Sequence, residues 1–300
     1  MELRILQYFL AVAREQSISA AAESLHLSQP TLSIQLKALE EELGKQLLIR
    51  GTKGSRKVLL TDEGMILRKR AEEILTLVQK AKSEVQMTDA SIAGDVYIGA
   101  GETDIIRYFA RAAKRMKKSC PDIRYHISSG NAQFVTEQLD KGLIDFGLMY
   151  GPVDRTKYEA LTLPIGDRFG VLMRRDDPLA QKEWISPEEL RDKPLILSAQ
   201  DRSEGWTVSS QIRQDVSHLN VAATYNLIFN ASLMVEEGLG YAVCLDKLIN
   251  TSGDSQLCFL PLRPEIVITP SIVWKRYQVF SKASERFLQE LTSVMDLPQK

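Results

Sequence analysis

Three features of the sequence predict a mixed fold: an all-α winged helix-turn-helix head, a long linker helix, and an α/β remainder in two lobes. The stretch SISAAAESLHLSQPTLSIQLKALEEELG, from Ser17 to Gly44, reads as two short helices joined by a tight turn. A heptad seam begins after Thr61, and from Gly94 onward strand and helix patterns alternate almost to the end of the 300-residue chain. The expected divisions are residues 1–61 for the head, 62–90 for the linker helix and 91–300 for the remainder. Within the remainder the first lobe takes about 91–162 and 268–300, and the second about 163–267.

In the head, Leu3 to Ala13 supplies a first helix through Leu6, Phe9, Leu10 and Ala13. Ala20, Ala21 and Ala22 let another helix approach the second one closely, and Leu25 and Leu27 close the turn around His26. Ser28 stands as N-cap of the third helix, and Pro30 falls in its first turn, where a missing N–H costs little. Leu32, Leu36, Leu39 and Leu43 follow at spacings of four, three and four, one stripe on a helix of 3.6 residues per turn, expected to face the core. The opposite face carries Pro30, Ile34 and Lys37, flanked by Gln29, Thr31 and Ser33, while Glu40, Glu41 and Glu42 sit at the far end. A helix pair with one face left for something outside the domain is how proteins read DNA. Ser28, Gln29, Pro30, Thr31, Ser33, Ile34 and Lys37 are therefore the candidate contacts of this helix. Gln29 suits adenine, and Lys37 suits phosphate or guanine. Ile34 has two readings: an ordinary exposed isoleucine, or a contact to a thymine methyl, the one apolar feature on a major-groove base edge.

Past Gly44, two short apolar runs, Leu47 to Ile49 and Val58 to Leu60, flank a turn containing Gly51 and Gly54, which is hairpin chemistry. From Lys45 to Thr61 there are five cations, Lys45, Arg50, Lys53, Arg56 and Lys57, and no acid. Such a run is often just solvated surface. Beside a reading helix it makes a wing, with Arg50, Lys53 and Arg56 as candidate phosphate contacts. Thr61 then caps a helix running to about Met87, roughly 39 Å at 1.5 Å per residue. Its seam is Leu67, Ala71, Ile74, Val78, Ala81 and Val85, flanked by Arg68, Lys69, Arg70, Glu72 and Glu73. So narrow a stripe favours pairing with a second copy over packing on its own domain. A dimer places two reading helices on double-stranded DNA and predicts a two-fold-related site.

After the small-residue linker TDASIAG the pattern changes class. Val96 and Ile98 mark a strand, followed by an amphipathic helix through Ile105, Phe109, Ala112, Ala113 and Met116 that Pro121 ends. A strand (Ile123 to Ile127), a polar loop (Ser128 to Asn131), a helix through Phe134, Val135 and Leu139 and a strand (Ile144 to Met149) follow. The rhythm recurs from Arg168: strand GVLMR, a Pro187 helix, strand Leu195 to Ser198, helix Trp206 to Arg213, strand Val221 to Tyr225, helix Ala231 to Glu237. The strand in ITPSIVWKR and a last helix, Ser281 to Met295, are expected to return to the first lobe. Ligands of open α/β sheets sit beyond the carboxyl ends of strands. Gly101, Glu102, Thr103, Ser129, Asn131 and Met149 in the first lobe, and Ser198, Arg202 and Asn226 in the second, are the candidate effector-binding residues. Free N–H groups at the helix starts and Arg202 favour an anionic or strongly polar small molecule. Glu102 disfavours a simple anion, so an amino acid or other zwitterion suits the cleft. For each of these residues an ordinary turn or cap is the alternative.

Composition bounds the class. With 44% hydrophobic and 26% charged residues, this is an ordinary folded chain of two or three domains. Residues 1–90 hold 13 Lys and Arg against 12 Asp and Glu, so any DNA-binding charge must be a local patch. No signal peptide is read before the first helix and no apolar run approaches the roughly 20 residues that span a bilayer. A cytoplasmic location with no membrane partner is expected, and an exported transport protein on a two-lobed fold is disfavoured. Cys120, Cys244 and Cys258 are scattered without a CxxC pair, so buried thiols are expected rather than a disulfide framework or a metal site. There is no Walker motif and no GxSxG; His26, His126 and His218 lack visible catalytic partners; Gly99-Ala-Gly101 is half a dinucleotide fingerprint. No enzyme and no cofactor is expected.

The segments AVAREQSISAAAESLHLSQPTLSIQLKALEEELGKQLLIR and LTDEG resemble the LysR-type transcriptional regulators. PDIRYHISSGN, KGLIDFGLM and the VEEGLGYAV segment are similar to that family's effector domain, so the resemblance covers nearly the whole chain. It implies a linker-helix dimer, commonly a tetramer on DNA, a periplasmic-binding-protein-like inducer domain and regulation by a small-molecule coinducer. RNA polymerase is a further partner that the resemblance leaves open. The family pattern carries over to Gln29, Pro30, Thr31 and Ser33 and to Arg50 in the wing. Two positions depart from it: Ile34 stands where Arg is frequent, and Leu48 where Phe is usual. A DNA-binding repressor or autoregulator that needs no ligand is the alternative reading.

Overall fold

The structure, a computed structural model, describes residues 1–51, 57–86, 92–199 and 219–295. It forms two compact units, Met1–Gln86 and Met87–Lys300.

The first unit holds α1 (Leu3–Glu15), α2 (Ile18–Ser24), α3 (Gln29–Leu43), the hairpin strands β1 (Leu48–Arg50) and β2 (Val58–Leu60), and α4 (Asp62–Gln86). Each start and stop has a local cause. Ser17 and Ser28 cap α2 and α3, accepting from the amides of Ala20 and Thr31. Gly44 ends α3 at φ +62°, a left-handed turn that glycine adopts without Cβ strain. Thr61 caps α4, accepting from Gly64 N at 3.0 Å, and its hydroxyl donates to Gln46 O at 2.7 Å. Phe9, Val12, Ala21, Leu32, Leu36, Leu39, Leu48 and Val58 make one core. Fully burying a leucine or phenylalanine there contributes about 1.5–3 kcal/mol.

Two expectations need correction in this unit. Leu43 closes the predicted stripe yet is 41% exposed, at the last residue of α3. The seam of α4 is divided: Leu67 packs on the head's own core and Ala71 is fully buried, whereas Val85 is 85% exposed. The first repeat thus packs within the domain, the reading the narrow stripe had disfavoured.

In the second unit, β3 (Gly94–Ala100), α5 (Ile106–Met116), β4 (Ile123–Ser129), α6 (Ala132–Asp140), β5 (Phe146–Met149) and β6 (Tyr158–Thr162) build one lobe. The chain crosses to β7 (Asp167–Arg174), β8 (Leu195–Ser198), β9 (Val221–Tyr225), α7 (Ile228–Glu236), β10 (Tyr241–Leu245), β11 (Leu257–Pro261) and β12 (Val267–Ile268). It returns through β13 (Ser271–Lys275) and α8 (Lys282–Val294). The first sheet has the order β4-β3-β5-β13-β6 and the second β11-β7-β10-β8-β9, with β12 on β7. Strand β13 runs antiparallel to both β5 and β6, so the sheet is mixed. Helix α8 packs on it through Phe287 and Leu291 against Phe109, Ala112 and Phe146. Val171, Met173, Leu195 and Leu197 serve one side of the second sheet, and Leu172, Ile196 and Ala242 the other. Side-chain alternation along the central strands β7, β8 and β10 therefore buries both faces.

Strands β6, β10, β11 and β12 were not read from the sequence, since they are short and not each followed by a helix. The Pro187 segment is a single 3-10 turn, Pro187–Leu190, with a capping box from Ser186 and Glu189. Strand β4 extends through Ser128 and Ser129, which the sequence reading gave to a loop. The expected helix Trp206 to Arg213 lies outside the described residues.

Candidate nucleic-acid interface and effector cleft

On α3 the partition of faces is sharp. Leu32, Leu36 and Leu39 are 2% exposed or less, while Gln29, Pro30, Thr31 and Lys37 are exposed and Ser33 is half-buried. Ile34 is 65% exposed and, among the described residues, stands outside the apolar core of the head. Ser28 and Thr31 are tied into the cap: Thr31 N donates to Ser28 Oγ at 3.2 Å and the two hydroxyl oxygens lie 2.7 Å apart. Lys37 pairs with Glu41 at 3.4 Å, an exposed pair one turn apart that contributes little.

The wing differs from its sequence reading in its charge. No acid lies within it, yet two are supplied from outside: Glu63 on α4 faces Lys45 at 3.7 Å, and Glu40 on α3 faces Arg50 at 3.3 Å. Glu40 does more than neutralise. Its Oε1 accepts from Leu47 N at 2.8 Å and Leu48 N at 3.0 Å, so one carboxylate braces the reading helix against the first strand of the wing. The sequence reading grouped Glu40 with its two acidic neighbours. Its place four residues after Leu36, at the margin of the apolar stripe, was the available signal. Lys53 and Arg56 lie outside the described residues.

In the second unit, Gly101, Glu102 and Thr103 form the turn after β3, Ser129 ends β4, and Met149 ends β5. Asn131 caps α6, accepting from Phe134 N at 2.8 Å. Ser198 and Asn226 lie at the ends of adjacent parallel strands, Ser198 in register with Tyr225. Arg202 lies outside the described residues. Gly101, Glu102, Thr103 and Ser129 come together on a cavity of about 560 Å³, walled by Ile106, Phe109, Tyr125 and Ile127 and rimmed by Lys247. Asn131, Met149, Ser198 and Asn226 do not line it.

The side chains of Glu102 and Thr103 are already engaged. The Glu102 carboxylate accepts from the backbone N–H of Ile228, the first residue of α7. Thr103 Oγ1 donates to Asp167 and accepts from Ile105 N at 3.0 Å. Tyr150 donates to the same Asp167 oxygen. Burial and the adjacent Asp167 charge push the Tyr150 phenol far above its usual range, so it remains the donor. The sequence reading missed Tyr150 and Asp167, because neither belongs to a motif and their meeting depends on the crossing between lobes. Cys244 is buried, and burial followed by the charges of Asp246 and Glu102 pushes its thiol up to about 12, leaving it unreactive. Cys120 is buried too, but Cys258 is only half-buried. Among the described residues no group of His, Cys, Asp and Glu is arranged to hold a metal, and no helix is long and apolar enough to cross a membrane.

A winged helix-turn-helix head joined to a two-lobed α/β domain defines a class of DNA-binding regulators. Residues 3–65 match the bacterial regulatory helix-turn-helix protein model of the lysR family, and residues 89–296 match the LysR substrate binding domain. The chain belongs to the LysR family, and is a DNA-binding transcriptional regulator with a substrate-binding domain rather than an enzyme. It is 34% identical over 206 residues to the HTH-type transcriptional regulator AlsR of Bacillus subtilis, which covers 69% of this chain and 66% of that protein. It is 27% identical over 269 residues to the uncharacterized regulator YvbU of the same organism, covering 90% of this chain and 87% of YvbU. Full-length CbnR, solved in complex with its target DNA, shares the fold with a TM-score of 0.74 at 19% identity, over 98% of this chain and all of that one.

Proposed function

We propose that this regulator binds a two-fold-related operator as a dimer and is controlled by a small polar or zwitterionic metabolite held between its two α/β lobes. The observation that carries the reading is the solvent-facing half of α3, where Gln29, Thr31 and Ile34 stand exposed beside the wing with a buried stripe behind them. In this reading Gln29, Pro30, Thr31, Ser33, Ile34 and Lys37 meet the groove, Ser28 and Arg50 meet the backbone, and Lys53 and Arg56 extend the wing contact. Gly101, Glu102, Thr103 and Ser129, which share a cavity with Lys247 of the other lobe, support the effector cleft, and Asn131, Met149, Ser198 and Asn226 are assigned to it as strand ends alone. Effector binding then shifts the lobes, and with them the spacing of paired heads and the bend of the DNA. Assembly into tetramers belongs to the same proposal. Two measurements test it: a thermal-shift screen of metabolites against the full chain, in which a true ligand stabilises by mass action, and footprinting of bound operator with and without the hit. A hit that leaves footprint and bend unchanged refutes the control mechanism.

A further inference from the structure

The turn between β3 and α5 reaches the other lobe twice within two residues. Glu102 accepts from the Ile228 amide at the start of α7, and Thr103 donates to Asp167 at the start of β7. Tyr150, at the end of β5, adds a third bond across the same boundary and to the same Asp167 oxygen. These are not surface contacts: Thr103 is 5% and Asp167 7% exposed, so separating them leaves polar groups without partners. Helix α7 has no side-chain cap of its own, since Leu227 occupies the N-cap position. An acid from the opposite lobe therefore accepts from the first amide of the helix, at the end where the helix dipole favours negative charge.

We propose that Glu102, Thr103 and Tyr150 form a clasp that sets the two lobes against each other without a ligand, and that Glu102 decides which effectors the cleft admits. The protein's own carboxylate occupies the place beside α7 where an acidic ligand group would gain most. An effector bound next to it presents a neutral or cationic group to Glu102, and an anion competes with the clasp instead of completing it. The effector preference rests on the function proposed above, whereas the clasp can be tested with no effector present.

The test is amide hydrogen exchange at Ile228 in the full-length chain, with Leu227, whose amide donates to Asn226 Oδ1 at 3.0 Å, as internal reference, comparing wild type with Glu102→Ala and Glu102→Gln at constant ionic strength, in chloride and in formate. The clasp predicts exchange about tenfold faster in Glu102→Ala, the size expected from losing a charge-assisted hydrogen bond. Formate, a free carboxylate, should slow it again in Glu102→Ala and leave wild type unchanged. Glu102→Gln keeps an acceptor without the charge and should fall between, which also serves if the alanine variant folds poorly. Wild-type exchange in both variants overturns the clasp. Formate slowing the wild type as much as the alanine variant overturns the claim that Glu102 fills that place. A metabolite screen without hits would refute the effector reading and leave these exchange rates standing.

Discussion

Ile34 is where this reading head departs most from an all-polar contact surface, being 65% exposed among Gln29, Thr31 and Lys37. If it meets a thymine methyl, Ile34→Ala weakens operator binding by about 1 kcal/mol, at the lower end of what a good base contact contributes. Replacing the contacted thymine with uracil should cost the wild type a similar amount and cost the variant nothing further; equal losses in both proteins would reject the contact. Glu40 makes a different kind of contribution. Glu40→Ala strands the amides of Leu47 and Leu48 and releases Arg50. It should lower unfolding free energy by about 1–3 kcal/mol in urea titrations and weaken DNA binding through misplacement of the wing. His26, in the turn between α2 and α3, sits at φ +55°, a region that costs non-glycine residues about 1 kcal/mol or more. His26→Gly is accordingly expected to be neutral or mildly stabilising by thermal denaturation, in contrast to a glycine elsewhere in the head.

Among the elements, α4 divides along its length. Its first turns belong to the head: Ala71 is fully buried, and a Cβ at Gly64 would meet the Leu47 carbonyl at 2.2 Å, so Gly64→Ala should destabilise the head. Ile66, Leu77 and Val85 are exposed, and Ile66 and Leu77, eleven residues apart, share one face. Leu77→Lys combined with Val85→Lys should shift the protein from dimer to monomer in sedimentation without unfolding it; an unchanged dimer would assign self-association to another element. The paired strands β3 and β4 carry a pH-dependent contact. Burial raises the Asp95 carboxyl, but the bonds from His126, at 2.7 Å, and from Arg124, at 2.9 and 3.0 Å, outweigh it and hold the group below the usual carboxylate range. A depressed folded value stabilises above the unfolded value of 3.8 and is lost as pH falls below it toward the folded value. Acid unfolding of Asp95→Asn should therefore be flatter than that of wild type in that window.

At the scale of the whole molecule, the head was the more legible part. Its capping serines, its leucine period and its hairpin runs are local signals, and local signals survive in the order of residues. The boundaries of α3 and β2 follow from them, β1 is displaced by one residue from the expected Leu47 to Ile49, and Leu43 failed because exposure depends on what lies opposite, which a period does not record. The α/β lobes were legible where strand and helix alternate, and illegible at β6, β10 and β11, whose short apolar runs suit either element until a partner strand supplies hydrogen bonds. The candidate cleft residues were chosen as strand ends. Four of them, Gly101, Glu102, Thr103 and Ser129, share one cavity, and the side chains of Glu102 and Thr103 also bond to the other lobe. Residue order was enough to establish a reading helix, a wing, a long helix and an α/β remainder, because capping, periodicity and turn chemistry act over a few residues. The brace from Glu40, the split seam of α4 and the meeting of Glu102, Thr103, Tyr150 and Asp167 came only with the folded chain. Each joins groups from different elements, and their energies depend on distances that no spacing along the sequence specifies.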